Sequence, residues 1–147
     1  HISSWGWATW RDRFVKYEKK PQKLSKWTNK QIKKFNLNNS YNFYSQILRN
    51  CSGAIDTFAI FWYATIFKKN GFTLFPKKSL VLNNGIGKNA THTKKPGIFI
   101  NQKISQKKSF IFPDEVTEDL IISKKIENYF KKKKKKNYFL RILRFFN

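Results

Sequence analysis

Ile55-Asp56-Thr57-Phe58-Ala59-Ile60-Phe61-Trp62-Tyr63-Ala64-Thr65-Ile66-Phe67 decides how this chain is read. The stretch is apolar almost all round, so as a helix it belongs inside a core rather than on a surface. Lys68 and Lys69 end the run after about a dozen residues, where a membrane span needs about twenty. A central buried helix over 55–68 is therefore expected. A single carboxylate, Asp56, stands at its start, and the whole chain has only eight acidic residues. A carboxylate in that place caps orphan N–H groups and suits the helix dipole. The same group, partly buried, can also serve as a base. Of the two roles, the cap is the simpler.

The 147 residues amount to one ordinary domain, and 40% hydrophobic content with 18% aromatics suffices for a core. The chain begins at His1 and contains no methionine, which is the composition expected of a piece of a longer protein. No charged segment followed by an apolar one marks a signal peptide at this N-terminus. Cys51 is the sole cysteine, so there is no disulfide framework and no thiolate metal site; a reducing compartment fits.

The net charge of +23 points first to nucleic acid or an anionic membrane. The kind of base weakens the nucleic-acid reading. Only Arg11, Arg13, Arg49, Arg141 and Arg144 of 31 basic residues are arginine, the residue that grips phosphate and guanine with a bidentate fork. Lysine, asparagine, isoleucine and phenylalanine abound together, so much of the charge fits compositional drift.

Outward from the central stretch, Trp7, Trp10 and Phe14 are spaced i, i+3 and i+7, which predicts a helix from about Ala8 with one aromatic stripe. Gly6 lies in the loop before it, where glycine permits close backbone approach or an unusual dihedral. The tryptophans serve equally as core anchors or as a platform for a sugar ring, and core is the commoner role. Residues 22–50 predict one or two amphipathic helices broken near Asn36–Asn39, and Asn70-Gly71 predicts the end of the central helix. Phe72–Phe75 and Ser79–Leu82 read as short strands, and a loop from Asn83 to Thr93 contains His92. A helix is expected to open at Asp114. From Lys124 the composition changes, with ten basic residues against Glu127, including the run Lys131–Lys136. Two parts follow: residues 1–123 as an α/β domain and 124–147 as a basic amphipathic tail.

Taken in order, Ser4–Phe14, Ile55–Phe67 and Phe75–Thr93 resemble the C-terminal half of family 2 glycosyltransferases of the GT-A fold. The likeness is to bacterial polysaccharide and glycan sugar transferases, including hemolysin-like and nucleotide-diphospho-sugar transferases. It implies an enzyme, with a partial GT-A-like α/β domain (the acceptor-side half) made of the buried helix, short strands and a basic helical tail. It also implies a nucleotide-diphosphate sugar as donor and a glycan or lipid-linked acceptor. Asp56 would be the general base, and Trp5, Gly6, Trp7 and Thr91 would meet the substrates. His92 would approach the diphosphate or its metal; a lone loop histidine is otherwise an ordinary polar residue. A divalent metal, Mn or Mg, is expected in the full-length enzyme.

The chain departs from the family pattern at several points. It holds no Asp-x-Asp, Phe58 stands for the usual tryptophan, Ala59 for an acid and Asn84 for an apolar residue. The donor-binding half is therefore expected outside this chain, which alone would bind no metal and turn nothing over. A basic nucleic-acid-binding protein of ribosomal or organellar type is the alternative, while the transferase reading implies no specific nucleic acid. The expected place is the cytoplasm, with Lys131–Lys136 either touching an anionic membrane at its inner face or simply solvated.

Overall fold

The computed structural model describes residues 6–19, 27–82, 85 and 103–143, with 135–143 described as backbone. Five helices appear in it: α1 (Arg11–Phe14), α2 (Asn29–Phe35), α3 (Phe43–Cys51), α4 (Ala59–Lys68) and α5 (Leu120–Leu143). The described residues contain no strand, so the α/β expectation, with its partial GT-A-like domain and short strands, is overturned.

The physical reason is visible at both expected strands. The Ser79 hydroxyl donates to the Val81 carbonyl at 2.8 Å and accepts from the Val81 N–H at 3.3 Å, taking the groups a ladder would use. Phe72, Leu74 and Phe75 are exposed, and among the described residues no ladder forms along them. Alternation describes one strand, whereas a sheet requires two.

The described residues fall into two compact units, the first made of 10–19, 27–72 and 116–143 and the second of 6–9, 73–82, 85 and 103–115. The first unit holds the core. Ile60, Phe61, Trp62, Tyr63, Ala64 and Thr65 of α4 are buried together with Phe35, Phe43 and Ile47. Tyr63 stacks on Phe35 with ring centroids 4.3 Å apart and donates its hydroxyl to the Phe35 carbonyl at 2.8 Å. On another side of α4, Trp62 meets Phe14 and Tyr17. The Glu18 N–H donates to Thr65 Oγ1, and the Lys68 ammonium pairs with Glu18 at 2.7 Å.

Local chemistry sets the boundaries. Thr28 and Gln31 form a capping box at the start of α2. Both α3 and α4 end in a paired 6→1 and 5→2 closure. Gly53 (φ +78°) supplies the left-handed residue after α3, with Ala54 N–H on the Arg49 carbonyl. Asn70 (φ +50°) supplies it after α4, with Gly71 N–H on the Ile66 carbonyl at 2.9 Å. Three consecutive left-handed residues, Leu37, Asn38 and Asn39, turn the chain between α2 and α3.

Three expected helix starts shift, the central helix first: expected from 55, it begins at Ala59. The aromatic stripe from Ala8 does not form: α1 is one turn, Trp10 is its exposed N-cap residue, and Trp7 belongs to the second unit. The helix expected at Asp114 begins at Leu120, where Asp119 Oδ1 accepts from the Ile122 N–H.

Candidate functional site

Asp56 lies in the loop 52–58 between α3 and α4, and it is exposed. It does not cap α4. The helix begins at Ala59, its N-cap residue is Phe58, and no side chain caps it. The cap expected of Asp56 is thus corrected, because the helix starts too late for that carboxylate to reach the first free N–H groups. What remains is a solvent-facing carboxylate on a short, well-tied loop.

Asn50 does the tying. It is almost fully buried, donates to the Gln46 carbonyl at 2.8 Å and to Thr57 Oγ1 at 3.3 Å, and accepts from the Thr57 N–H at 2.8 Å. The Ala54 and Ile55 N–H groups both donate to the Arg49 carbonyl, at 2.9 and 3.3 Å. The backbone on both sides of Asp56 is therefore tied to α3 by hydrogen bonds.

Tyr17 lies in the same unit as Asp56 and within reach of its charge. Its ring stacks on Phe14 at 5.7 Å and meets the edge of Trp62 at 6.2 Å. Its hydroxyl oxygen is buried without a hydrogen-bond partner among the described residues. Burial, and after it the negative charge of Asp56, pushes the Tyr17 hydroxyl above its usual pKa. Hydroxyl and carboxylate are thus close enough to feel each other electrostatically, next to a group of aromatic faces.

Asp56 is the solvent-facing polar group of this cluster, while the Tyr17 hydroxyl oxygen and Trp62 are buried and Phe14 is the ring with a well-exposed face.

The other residues expected in a site fall elsewhere. Gly6 and Trp7 belong to the second unit and Asp56 to the first. Trp5, Thr91 and His92 lie outside the described residues. Gly6 takes φ +56°, and a Cβ there would overlap Val81 Cγ1 and stand 2.9 Å from its Cβ and Cγ2. Both reasons for a glycine therefore operate at this one position. Among the described residues, no three His, Cys, Asp or Glu side chains gather as a metal would require.

Sequence reading missed Asn50 and Tyr17. Asn50 looks like any polar residue ahead of a Ser-Gly turn, and only its spacing to Thr57 could have hinted at a loop brace. Tyr17 sits in a lysine-rich stretch that reads as surface.

No family model matches this chain, and neither does any curated protein or solved structure.

Proposed function

We propose that this chain is the acceptor-side part of a sugar transferase that uses a nucleotide-diphosphate sugar, with Asp56 as its general base. The observation that carries the reading is the setting of Asp56: an exposed carboxylate that caps no helix, on a loop braced by Asn50, its charge within reach of Tyr17. An exposed carboxylate that caps no helix, on a backbone tied at both sides, is available for chemistry. The ordered likeness of Ser4–Phe14, Ile55–Phe67 and Phe75–Thr93 to sugar transferases supports the same conclusion.

In this mechanism the acceptor hydroxyl donates its proton to Asp56 as its oxygen attacks the anomeric carbon. The bond from that carbon to the diphosphate breaks, and the electron pair leaves with the diphosphate. Attack and departure are in line, so base and diphosphate lie on opposite sides of the sugar. By the resemblance alone, Trp5, Gly6, Trp7 and Thr91 would meet the substrates and His92 the diphosphate or its metal. A divalent ion, where bound, would offset charge on the leaving group. The buried state of Phe61, Trp62 and Tyr63 favours this reading over nucleic-acid binding, since those rings offer no face for bases to stack on.

The test is a transfer assay on the full gene product with a panel of nucleotide-diphosphate sugars. Asp56→Asn should lower turnover by about 10²–10⁴-fold with donor affinity unchanged, because only proton removal is lost. His92→Ala should instead weaken donor binding. Unchanged turnover in Asp56→Asn would sink the assignment.

A further inference from the structure

We propose that α5 is a docked arm whose lysine run, Lys131–Lys136, binds an anionic lipid surface. This does not rest on the transferase reading. Its observations are the way α5 is held at one end and the way its charge is arranged beyond that end.

The first half of α5 is fastened to the turn between α2 and α3. Ser123, Ile126, Glu127 and Phe130, spaced i, i+3, i+4 and i+7, are its enclosed positions. Phe130 packs on Tyr41 and Phe43 with ring centroids 5.2 and 5.6 Å away. Asn38 Nδ2 donates to Glu127 Oε1. The other oxygen of that carboxylate faces the ammonium groups of Lys124 and Lys131 at 3.8 and 4.0 Å. Glu127, the one acid in the helix, is thereby committed to docking.

Past Phe130 the enclosed stripe would continue at Lys133 and Lys134, and both are exposed. The helix nonetheless runs on to Leu143. Its 24 residues span about 36 Å, and the docking contacts described above come from its first half, at Glu127 and Phe130. Successive residues turn by 100°, so Lys131, Lys132, Lys133 and Lys134 surround the helix with charge rather than lining one face. A core would not tolerate such a segment, and the repulsion among its like charges is relieved by salt or by an anionic surface.

Charge complementarity calls for an anionic partner, and the composition favours lipid over nucleic acid. The run is lysine, which acts as a point charge and lacks the fork that grips phosphate in pairs. It is followed in sequence by Tyr138-Phe139-Leu140-Arg141-Ile142-Leu143, whose apolar content gains from the headgroup and acyl boundary and gains little along a phosphate backbone. Among the described residues no helix is long and apolar enough to cross a membrane, so the contact proposed is with a surface.

The experiment is co-sedimentation of the whole chain with vesicles of equal parts phosphatidylcholine and phosphatidylglycerol, and with phosphatidylcholine alone. One variant carries Lys131→Gln, Lys132→Gln, Lys133→Gln and Lys134→Gln. A charge-matched control carries Lys30→Gln, Lys33→Gln, Lys34→Gln and Lys107→Gln, all at exposed positions. Each lysine near an anionic surface is worth about fivefold in binding, so the first variant should lose about 10²–10³-fold while the control loses much less. The chain should also leave phosphatidylcholine vesicles unbound. Equal losses in variant and control would overturn the proposal, because charge anywhere on the chain would then suffice. Stripping of the chain from vesicles by duplex DNA at the same phosphate concentration would overturn it in favour of nucleic acid.

Discussion

Asn50 and Thr57 hold each other through two hydrogen bonds, Thr57 N–H to Asn50 Oδ1 at 2.8 Å and Asn50 Nδ2 to Thr57 Oγ1 at 3.3 Å. The pair closes the loop 52–58 and so fixes the residue after Asp56. A buried amide side chain here does for the loop what a backbone ladder does for a strand: it satisfies an N–H that would otherwise need water.

Asn50→Ala should therefore destabilise the first unit by about 2–4 kcal/mol, from lost bonds, an unsatisfied Thr57 N–H and a small cavity. Urea denaturation followed by circular dichroism measures it. Amide exchange at Thr57 should quicken by more than the global loss of stability accounts for, because the brace is local. A change below about 0.5 kcal/mol, the range of ordinary surface substitutions, would show that the loop does not depend on Asn50.

Tyr63 gives an alkaline signature. Burial raises its hydroxyl well above the ordinary value of 10.0, and that hydroxyl donates to the Phe35 carbonyl. Below pH 10, folded and unfolded chains both keep this proton. Above it the unfolded chain releases the proton first, so stability falls as pH rises. Tyr63→Phe should cost about 1–3 kcal/mol at pH 7, through the carbonyl left without this donor. The gap to the parent chain should narrow above pH 10. A constant gap across pH would show that the hydroxyl is solvated.

Tyr17 and Asp56 report on one another. Asp56→Asn should bring the Tyr17 titration down towards 10.0 but not fully to it, since burial is the larger cause and persists. Tyrosine ring-carbon NMR against pH would follow it. Tyr17→Phe should be neutral or stabilising by up to about 1 kcal/mol, because a buried hydroxyl without a partner is removed. If Tyr17→Phe instead costs stability, that hydroxyl is bonded in solution.

Gly6→Ala tests the second unit. The new methyl meets Val81 in a backbone conformation that disfavours any side chain. A loss of about 2 kcal/mol or more is expected from overlap and left-handed strain together. Adding Val81→Ala should recover the overlap part and leave the strain. Limited proteolysis across 73–82 reads the outcome, and full recovery in the double variant would mean the dihedral carries no cost.

Some of this fold was legible in the residues themselves. The buried run of α4, its stop at Asn70-Gly71 and the break at Asn36–Asn39 all follow from local causes: apolar content on every side, and residues that accept a left-handed backbone. The glycine at position 6 was likewise readable as a place of close approach or positive φ. None of these needs a distant partner to be inferred.

What sequence could not decide depends on which groups pair in the folded chain. Phe72–Phe75 and Ser79–Leu82 have strand-like patterns, but a strand exists only against a neighbour, and Ser79 spends the Val81 backbone groups on its own side chain. Asp56 looked like a helix cap because a carboxylate preceded an apolar run, yet the helix starts at Ala59, after Asn50 has taken Thr57 into its own hydrogen bonds. Tyr17 lies among lysines and still places its hydroxyl oxygen out of solvent and its ring beside Trp62, 45 positions later. Apolar pattern and turn chemistry act within a few residues and can be read in order. Pairing, loop bracing and the company of a charge are set by contacts of the folded chain.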